Sequence, residues 1–439
     1  MMTRLSCVFG LTILLLSTSG ALATDFYICK ARGNNSNPGT TELPLKNIDA
    51  ALAKAEPGDT LHVAGGVYFG IRDRGYIEVR VPVTMLGGYS EDFAVRDPLA
   101  NPTLIQPTNE SVGNSRNPLL TLKSSQAGQR FVLDGFIVDA GMRNAYSDKE
   151  GWPEGVETGR LLLPTEQVPT GMRSTVDKPG LFIENAASAG DVLLQNNVFI
   201  NCAMYAVHGG HKQGSFIIRN NVFVANRMAA IEIFGTGGKK GPRGPLEHDG
   251  SVEVAYNTIL FSWSRTKELE DMGYGVRIMT MLTYNIHHNL IGGSLFAGVD
   301  HTRFNPNDWI KVDDNVFFAN KQAAMLFSEP GNVQMERVKV TDFADLGLAS
   351  ATGNREASLP LPIDSAYLEG LLGTIYAEEA DLDPNSLANQ VRAAFGLPLR
   401  GELTTQVSMY ANRYSWQKAL ELFGASPEVG AQSLAPATE

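Results

Sequence analysis

The sequence predicts an all-β solenoid, a right-handed parallel β-helix with an N-terminal helical cap and a helical C-terminal segment. Two observations carry this. An asparagine-centred repeat runs through the middle of the chain, and 44 glycines in 439 residues favour a turn-rich β chain over a helical one.

The elements follow in chain order. Arg4, the apolar run Val8 to Leu16 and the small-x-small site Ala21-Leu22-Ala23 read as a signal peptide over residues 1–23. That run is too short to span a bilayer, so the expected mature chain is exported, periplasmic or extracellular, with no integral membrane segment. Residues 44–55 show amphipathic helical periodicity, and Pro57-Gly58-Asp59-Thr60 turns into the strand-like Leu61-His62-Val63. Phe131 to Asp139 reads as a coil with Gly135 at the asparagine position, and Gly180 to Asn185 supplies another strand. Between them, 141–179 is rich in Gly, Pro, Thr and charge without periodicity, a long loop leaving the stack.

In the repeat itself, Asn197, Asn221, Asn257, Asn289 and Asn315 each follow a short apolar-alternating strand. Each is followed by Val, Thr or Leu and then Phe or Ile, and successive asparagines lie 24 to 36 residues apart, one coil plus its loops. An asparagine per coil has a physical reason: its amide can bond the coils above and below and tolerates a tight turn. After about residue 335 the rhythm stops. Residues 367–380, 384–396 and 415–424 show helical periodicity, and the chain looks frayed from Glu428. The expected organisation is therefore a β-helix over 24–335 and a helical cap or tail over 336–439.

The short helix and the Pro57-Gly58-Asp59-Thr60 turn resemble the opening of exported β-helix proteins of the pectate-lyase-like superfamily, where a helix caps the first coil. The resemblance covers about a tenth of the chain and implies architecture rather than activity. Solenoids need such caps because an open end exposes unpaired strand edges and apolar core.

Charge narrows the partners. A net charge of −11 opposes wholesale binding to nucleic acid or anionic membrane, but not an acidic polymer held in a locally basic groove. Cys7 belongs to the leader, so Cys29 and Cys202 alone remain, too few for a disulfide scaffold.

If the asparagines are in register, so is the strand some eleven residues later. That places His208, Glu232 and Asp300 in one column, and matching Gly275-Val276-Arg277-Ile278 to Ala230–Ile233 past an insertion over 265–274 adds Arg277, each after an inward-pointing Val or Ile. Adjacent strands are about 4.8 Å apart, so the column makes a ladder of ionisable groups along the stack, as a polymer-binding face requires. Charge alternation across strands explains the same column without function. Around it stand His211, Lys212, Lys239, Lys240 and Arg303 as candidate substrate contacts, and His301 as a further acid or base.

Two chemistries fit. Abstraction of the proton alpha to a uronate carboxylate, leading to β-elimination or C5-epimerisation, needs a base and a cation for the developing enolate. Arg277 is placed for either role, since the resemblance implies an arginine or lysine base, and His208 or His301 can transfer protons near neutral pH. Inverting glycoside hydrolysis needs two separated carboxylates, for which Glu232 and Asp300 are the candidates. The basic glycine-rich segment around Lys239 favours an anionic substrate and ranks the lyase or epimerase first. A non-catalytic protein binding glycan or another protein is the reading from a different class.

No cofactor is predicted. Asp313-Asp314-Asn315 and Asn305 to Asp308 offer oxygen ligands for Ca²⁺, but lack EF-hand spacing and read more simply as solvated turns. His287 and His288, adjacent on a strand, are expected to point to opposite faces and so not to share a metal.

Overall fold

The computed structural model describes residues 23–70, 76–106, 118–123, 126–140, 179–184, 189–202, 204–235, 248, 250–262, 273–294, 296–303, 305–318, 320, 322–329, 334–356, 428–432 and 434. Most of the expected leader, the insertion from 141 to 178, the three C-terminal helical segments, and Lys239 and Lys240 lie outside these residues.

Three sheets form among the described residues, each nine-stranded, and eight successive coils give one strand to each. The first sheet runs from Asp25–Ile28 through strands such as Asp191–Gln195, Ser215–Arg219, Gly250–Ala255 and Leu282–His287 to Ile310–Asp313. The second contains Val198–Ile200, Val222–Val224, Thr258–Leu260, Leu290–Gly292 and Val316–Phe318. The third contains Leu181–Ile183, Val207–His211, Ala229–Gly235, Tyr274–Ile278, Ala297–His301 and Ala323–Phe327. All pairings are parallel except that of Glu336–Val338, which lies antiparallel on Ala323–Phe327. The molecule is a parallel β-helix, and crossovers of this kind are almost always right-handed.

Alternation along each strand sends one column of side chains inward from every sheet. Leu133, Leu194, Ile218, Val254, Ile286 and Val312 are in register on the first sheet. Val138, Phe199, Phe223, Ile259, Ile291 and Phe317 align on the second, with Phe199 and Phe223 stacked at 5.1 Å. Val207, Ile231, Val276, Val299 and Met325 complete the interior from the third. All belong to one buried cluster, where each side chain of this size stabilises by about 1.5–3 kcal/mol.

The coils are joined at their sharpest corner by the asparagines. Asn196, Asn220, Tyr256, His288 and Asp314 adopt left-handed φ of 53–56°, and the residue after each is a ladder asparagine. Asn221 accepts from the backbone N–H and the Nδ2 of Asn197 at 3.0 Å, and itself donates Nδ2 to Asn257 Oδ1 at 3.0 Å and to the Leu194 carbonyl at 3.0 Å. The pattern repeats through Asn257, Asn289 and Asn315, all fully buried. These bonds offset the left-handed residue in each turn, an ordinarily unfavourable conformation for non-glycine side chains.

Three sequence expectations change here. Gly135, with φ 81°, occupies the left-handed position, and Phe136 takes the asparagine place, its N–H donating to Asn197 Oδ1 at 2.9 Å. The rhythm does not stop at 335: Gly353-Asn354 forms another rung, with Asn315 N–H donating to Asn354 Oδ1 at 3.1 Å. Nor are residues 428–432 frayed. Val429, Ala431 and Leu434 are buried, while Gly430 N–H donates to the His288 carbonyl, Ala431 N–H to Thr258 Oγ1 and Gln432 N–H to Asn220 Oδ1.

At the N-terminal end the helical segment is one turn, Ile48–Leu52, with Ile48, Ala51 and Leu52 buried in the same core as Phe26 and Leu61. Asp59 holds the turn that follows it, accepting from Thr24 N–H at 2.7 Å and Glu56 N–H at 2.8 Å. At the other end the 3-10 helix Val340–Leu346 sets Phe343 edge-on against Phe317, 5.4 Å away. Cys29 and Cys202 are both free and buried.

Replacing Asn257 with Ala strands the Asn221 N–H and the Ile218 carbonyl in the core, so Asn257→Ala is expected to lower stability by about 2–5 kcal/mol. Asn354→Ala, at the half-exposed last rung, should cost less than half as much, both read from urea unfolding midpoints.

Candidate functional site

Strand pairing puts the predicted column in one row. His208 faces Glu232, Glu232 faces Arg277 and Arg277 faces Asp300, with Phe182 on the near side and Leu326 on the far side. Each sits between two inward residues, so the four side chains leave the outer surface of the third sheet.

The column is closed over most of its length. Side-chain exposure is 20% for His208 but 6% for Glu232, 3% for Arg277 and 1% for Asp300. The charges pair in sequence along it. Arg277 Nη1 lies 2.6 Å from Glu232 Oε2 and its Nε 2.8 Å from Asp300 Oδ2, while Thr302 donates its hydroxyl to Asp300 Oδ1 at 2.7 Å. The Arg277 guanidinium also lies 5.0 Å from the Tyr274 ring centre. Burial opposes its charge, but Asp300 and Glu232 outweigh burial and push its pKa above the ordinary arginine value.

This geometry bears on two roles expected from sequence. Arg277 has its Nη1 and Nε engaged by Glu232 and Asp300, and its proton is held more tightly than usual, which opposes a part as base. Glu232 and Asp300 do not flank a bond as an inverting pair, because the guanidinium fills the space between them. Burial alone would raise the Glu232 carboxyl, yet His208 and Arg277 bring it below its ordinary value, the wrong direction for a general acid.

His208 stands apart from the buried three. Its Nδ1 lies 3.2 Å from Glu232 Oε1, in ion-pair reach though off the line of a good hydrogen bond. Tyr205 stacks on its ring at 4.3 Å, Phe182 lies nearly parallel at 5.7 Å, and Phe234 is tilted at 5.4 Å. Tyr205 belongs with Met228, Tyr274, Phe296 and Leu326 to a small apolar cluster separate from the interior. The sequence reading missed these flanking aromatics; only Phe182 was readable, from its place one rung before His208.

The other candidates divide. His301 alternates to the face opposite Asp300, is buried, and has Nε2 3.2 Å from Asn307 Oδ1, so it does not join the column. Burial holds it below its ordinary pKa against the raising effect of Asn307 and Asp300. His211 is likewise buried, with Nε2 2.9 Å from the Gly214 carbonyl and its ring edge-on to Phe216, so it is not a substrate contact. Lys212 is exposed and Arg303 half-buried, close enough to Glu232 to lower its carboxyl.

Among the described residues no group of three or more His, Cys, Asp or Glu converges as a metal site. Two of the residues considered for Ca²⁺ are engaged within the protein: Asp313 Oδ1 accepts from Ser350 and Thr352, and Asn305 bridges Met281 N–H and the Leu282 carbonyl as a ladder residue. Among the described residues no helix is long and apolar enough to cross a membrane.

No family model matches the chain, and no curated protein matches it by sequence. Solved structures do. A pectin methylesterase bound to a hexasaccharide is similar at 8% identity and a TM-score of 0.41, over 78% of this chain and 92% of that one. A rhamnogalacturonan lyase is similar at 11% and 0.35, over 72% and 79%. A complex of XylC with xylose is similar at 14% and 0.36, over 67% of this chain and 62% of that one. The parallel sheets of this chain are established by its own strand pairing.

Removing the central cation exposes the cost of the network. Arg277→Met leaves two buried carboxylates unpaired and should destabilise by about 3–5 kcal/mol, whereas Lys212→Met should change unfolding midpoints negligibly. Acid should act in two windows. His301, ordinarily near 6.5 and depressed here, contributes stability above that value that is lost as pH falls below it. Glu232 contributes above its ordinary 4.5 and loses that as pH falls through its lowered value. His301→Gln should flatten only the first slope in denaturation midpoints followed from about pH 7 downward.

Proposed function

We propose that this protein is an exported enzyme acting on an acidic, uronate-containing polysaccharide, with proton abstraction at C5 leading to elimination or epimerisation. The observation that carries this is the solvent access of His208, the one exposed end of an otherwise buried charge chain. Its ring is held between Tyr205 and Phe182, and the Glu232 carboxylate beside Nδ1 stabilises the imidazolium that forms when Nε2 takes a proton. Glu232 is fixed by Arg277, and Arg277 by Asp300, so these three act as positioning residues behind one proton-transfer group.

Arg303, whose charge reaches Glu232, and the exposed Lys212, four residues after His208, supply charge for a uronate carboxylate. A solenoid face suits such a substrate, because equivalent positions recur every coil, about 4.8 Å apart, along the direction in which a sugar polymer extends. The pairing that buries Arg277 is equally what a purely structural ladder requires, so activity has to be read at His208.

The test is a panel of polyuronates incubated with the protein, followed by ultraviolet absorbance of the unsaturated product and by exchange of the C5 hydrogen with solvent deuterium. His208→Gln is expected to lower either signal by about a hundredfold or more while leaving the unfolding midpoint nearly unchanged. New unsaturation identifies the lyase, and exchange without it the epimerase. Absence of both signals in the unmutated protein, on every polymer, would sink the enzymatic reading.

A further inference from the structure

Away from the third sheet, the corner after Leu282–His287 holds two imidazoles that sequence alternation would separate. His287 ends the strand, and His288 takes the left-handed conformation with φ 54°, which breaks the alternation. Its ring swings back until His288 Nδ1 lies 3.0 Å from His287 Nδ1, with the ring planes at 89°. Tyr256, one rung earlier, stacks on His288 at 4.8 Å and holds it there. Both histidines are half-buried, with room for solvent beside them.

Two imidazole nitrogens this close need a hydrogen on one of them or a shared metal ion to offset the repulsion of their lone pairs. A proton shared along the N···N line serves, and so does a metal ion set to one side of it. Ligands about 2.0 Å from a metal and at right angles to each other are about 2.8 Å apart, near the observed separation and suited to tetragonal ions. The outer nitrogen of His288 supports the second arrangement. His288 Nε2 lies 4.0 Å from Asp314 Oδ2, beyond hydrogen-bond reach, so the carboxylate attracts a cation at His288 by its charge without fixing the tautomer.

We propose that His287 and His288 form a two-nitrogen chelate for a divalent late transition-metal ion of the Cu(II) type, with Asp314 behind His288 and solvent completing the coordination. The site is independent of the third-sheet column. It also sits under the tail, since the His288 carbonyl accepts from Gly430 N–H at 2.8 Å, so a bound ion would stiffen the corner on which the C-terminal segment rests.

Tag-free, leaderless protein titrated with copper sulfate and followed by electron paramagnetic resonance tests this. The expected spectrum saturates at one ion per chain and carries hyperfine splitting from two histidine nitrogens. His287→Ala and His288→Ala should each bind at least about tenfold more weakly, and Asp314→Asn severalfold more weakly. A spectrum from the unmutated protein with fewer than two nitrogens overturns the proposal whether or not the variants fold. So does equal affinity in the His287→Ala/His288→Ala double variant, with circular dichroism confirming its β content.

Discussion

Everything else in this protein depends on the amide that each coil lends to the next. A parallel stack has no local reason to keep its register, because its strands are separated by whole coils. The ladder from Asn197 to Asn354 supplies that reason: each rung takes a backbone N–H from the neighbouring coil, each after the first also takes a side-chain N–H, and each bonds a carbonyl of the coil before it. Slipping one coil would strand several buried polar groups together. With register fixed there, the aliphatic columns meet in the interior, and the third-sheet column falls into one line without any long-range instruction of its own.

That dependence explains how much could be read from the sequence. The ladder asparagines are visible because one residue type recurs beside apolar pairs; His208, Glu232 and Asp300 followed from counting onward from them, and Arg277 from matching its strand to theirs. What could not be counted was what lies against the row. Tyr205 and Phe234 come from a turn and a strand end, so no periodicity marks them, and the burial of Arg277 depends on such neighbours. Backbone sign was equally hidden. Gly135 looked like the asparagine substitute but is the left-handed residue before it, and His288 looked like a strand residue until the same conformation turned it. A second set of capping amides, Asn226 on Cys202 and Asn320 on Ser294, escaped notice because its other rungs are not asparagine.

The third-sheet column shows how a charge row on a solenoid divides its labour. Three buried groups that neutralise one another make a rigid backing, and rigidity is what a single exposed imidazole beside them requires. The arrangement is asymmetric: aromatic rings bracket the exposed end, and a hydroxyl from Thr302 satisfies the buried one.

The C-terminal strap bears on how the molecule comes to be. Most contacts in the stack join neighbouring coils, so the helix can zip up progressively as the chain emerges. Ala431 and Gln432, however, bond partners 173 and 212 residues earlier. Those bonds cannot exist until residues 430–432 are available, and contacts of such long range are slow to form. The strap therefore joins the stack late, adding one backbone donor each to Thr258 Oγ1 and Asn220 Oδ1 across coils that have already met.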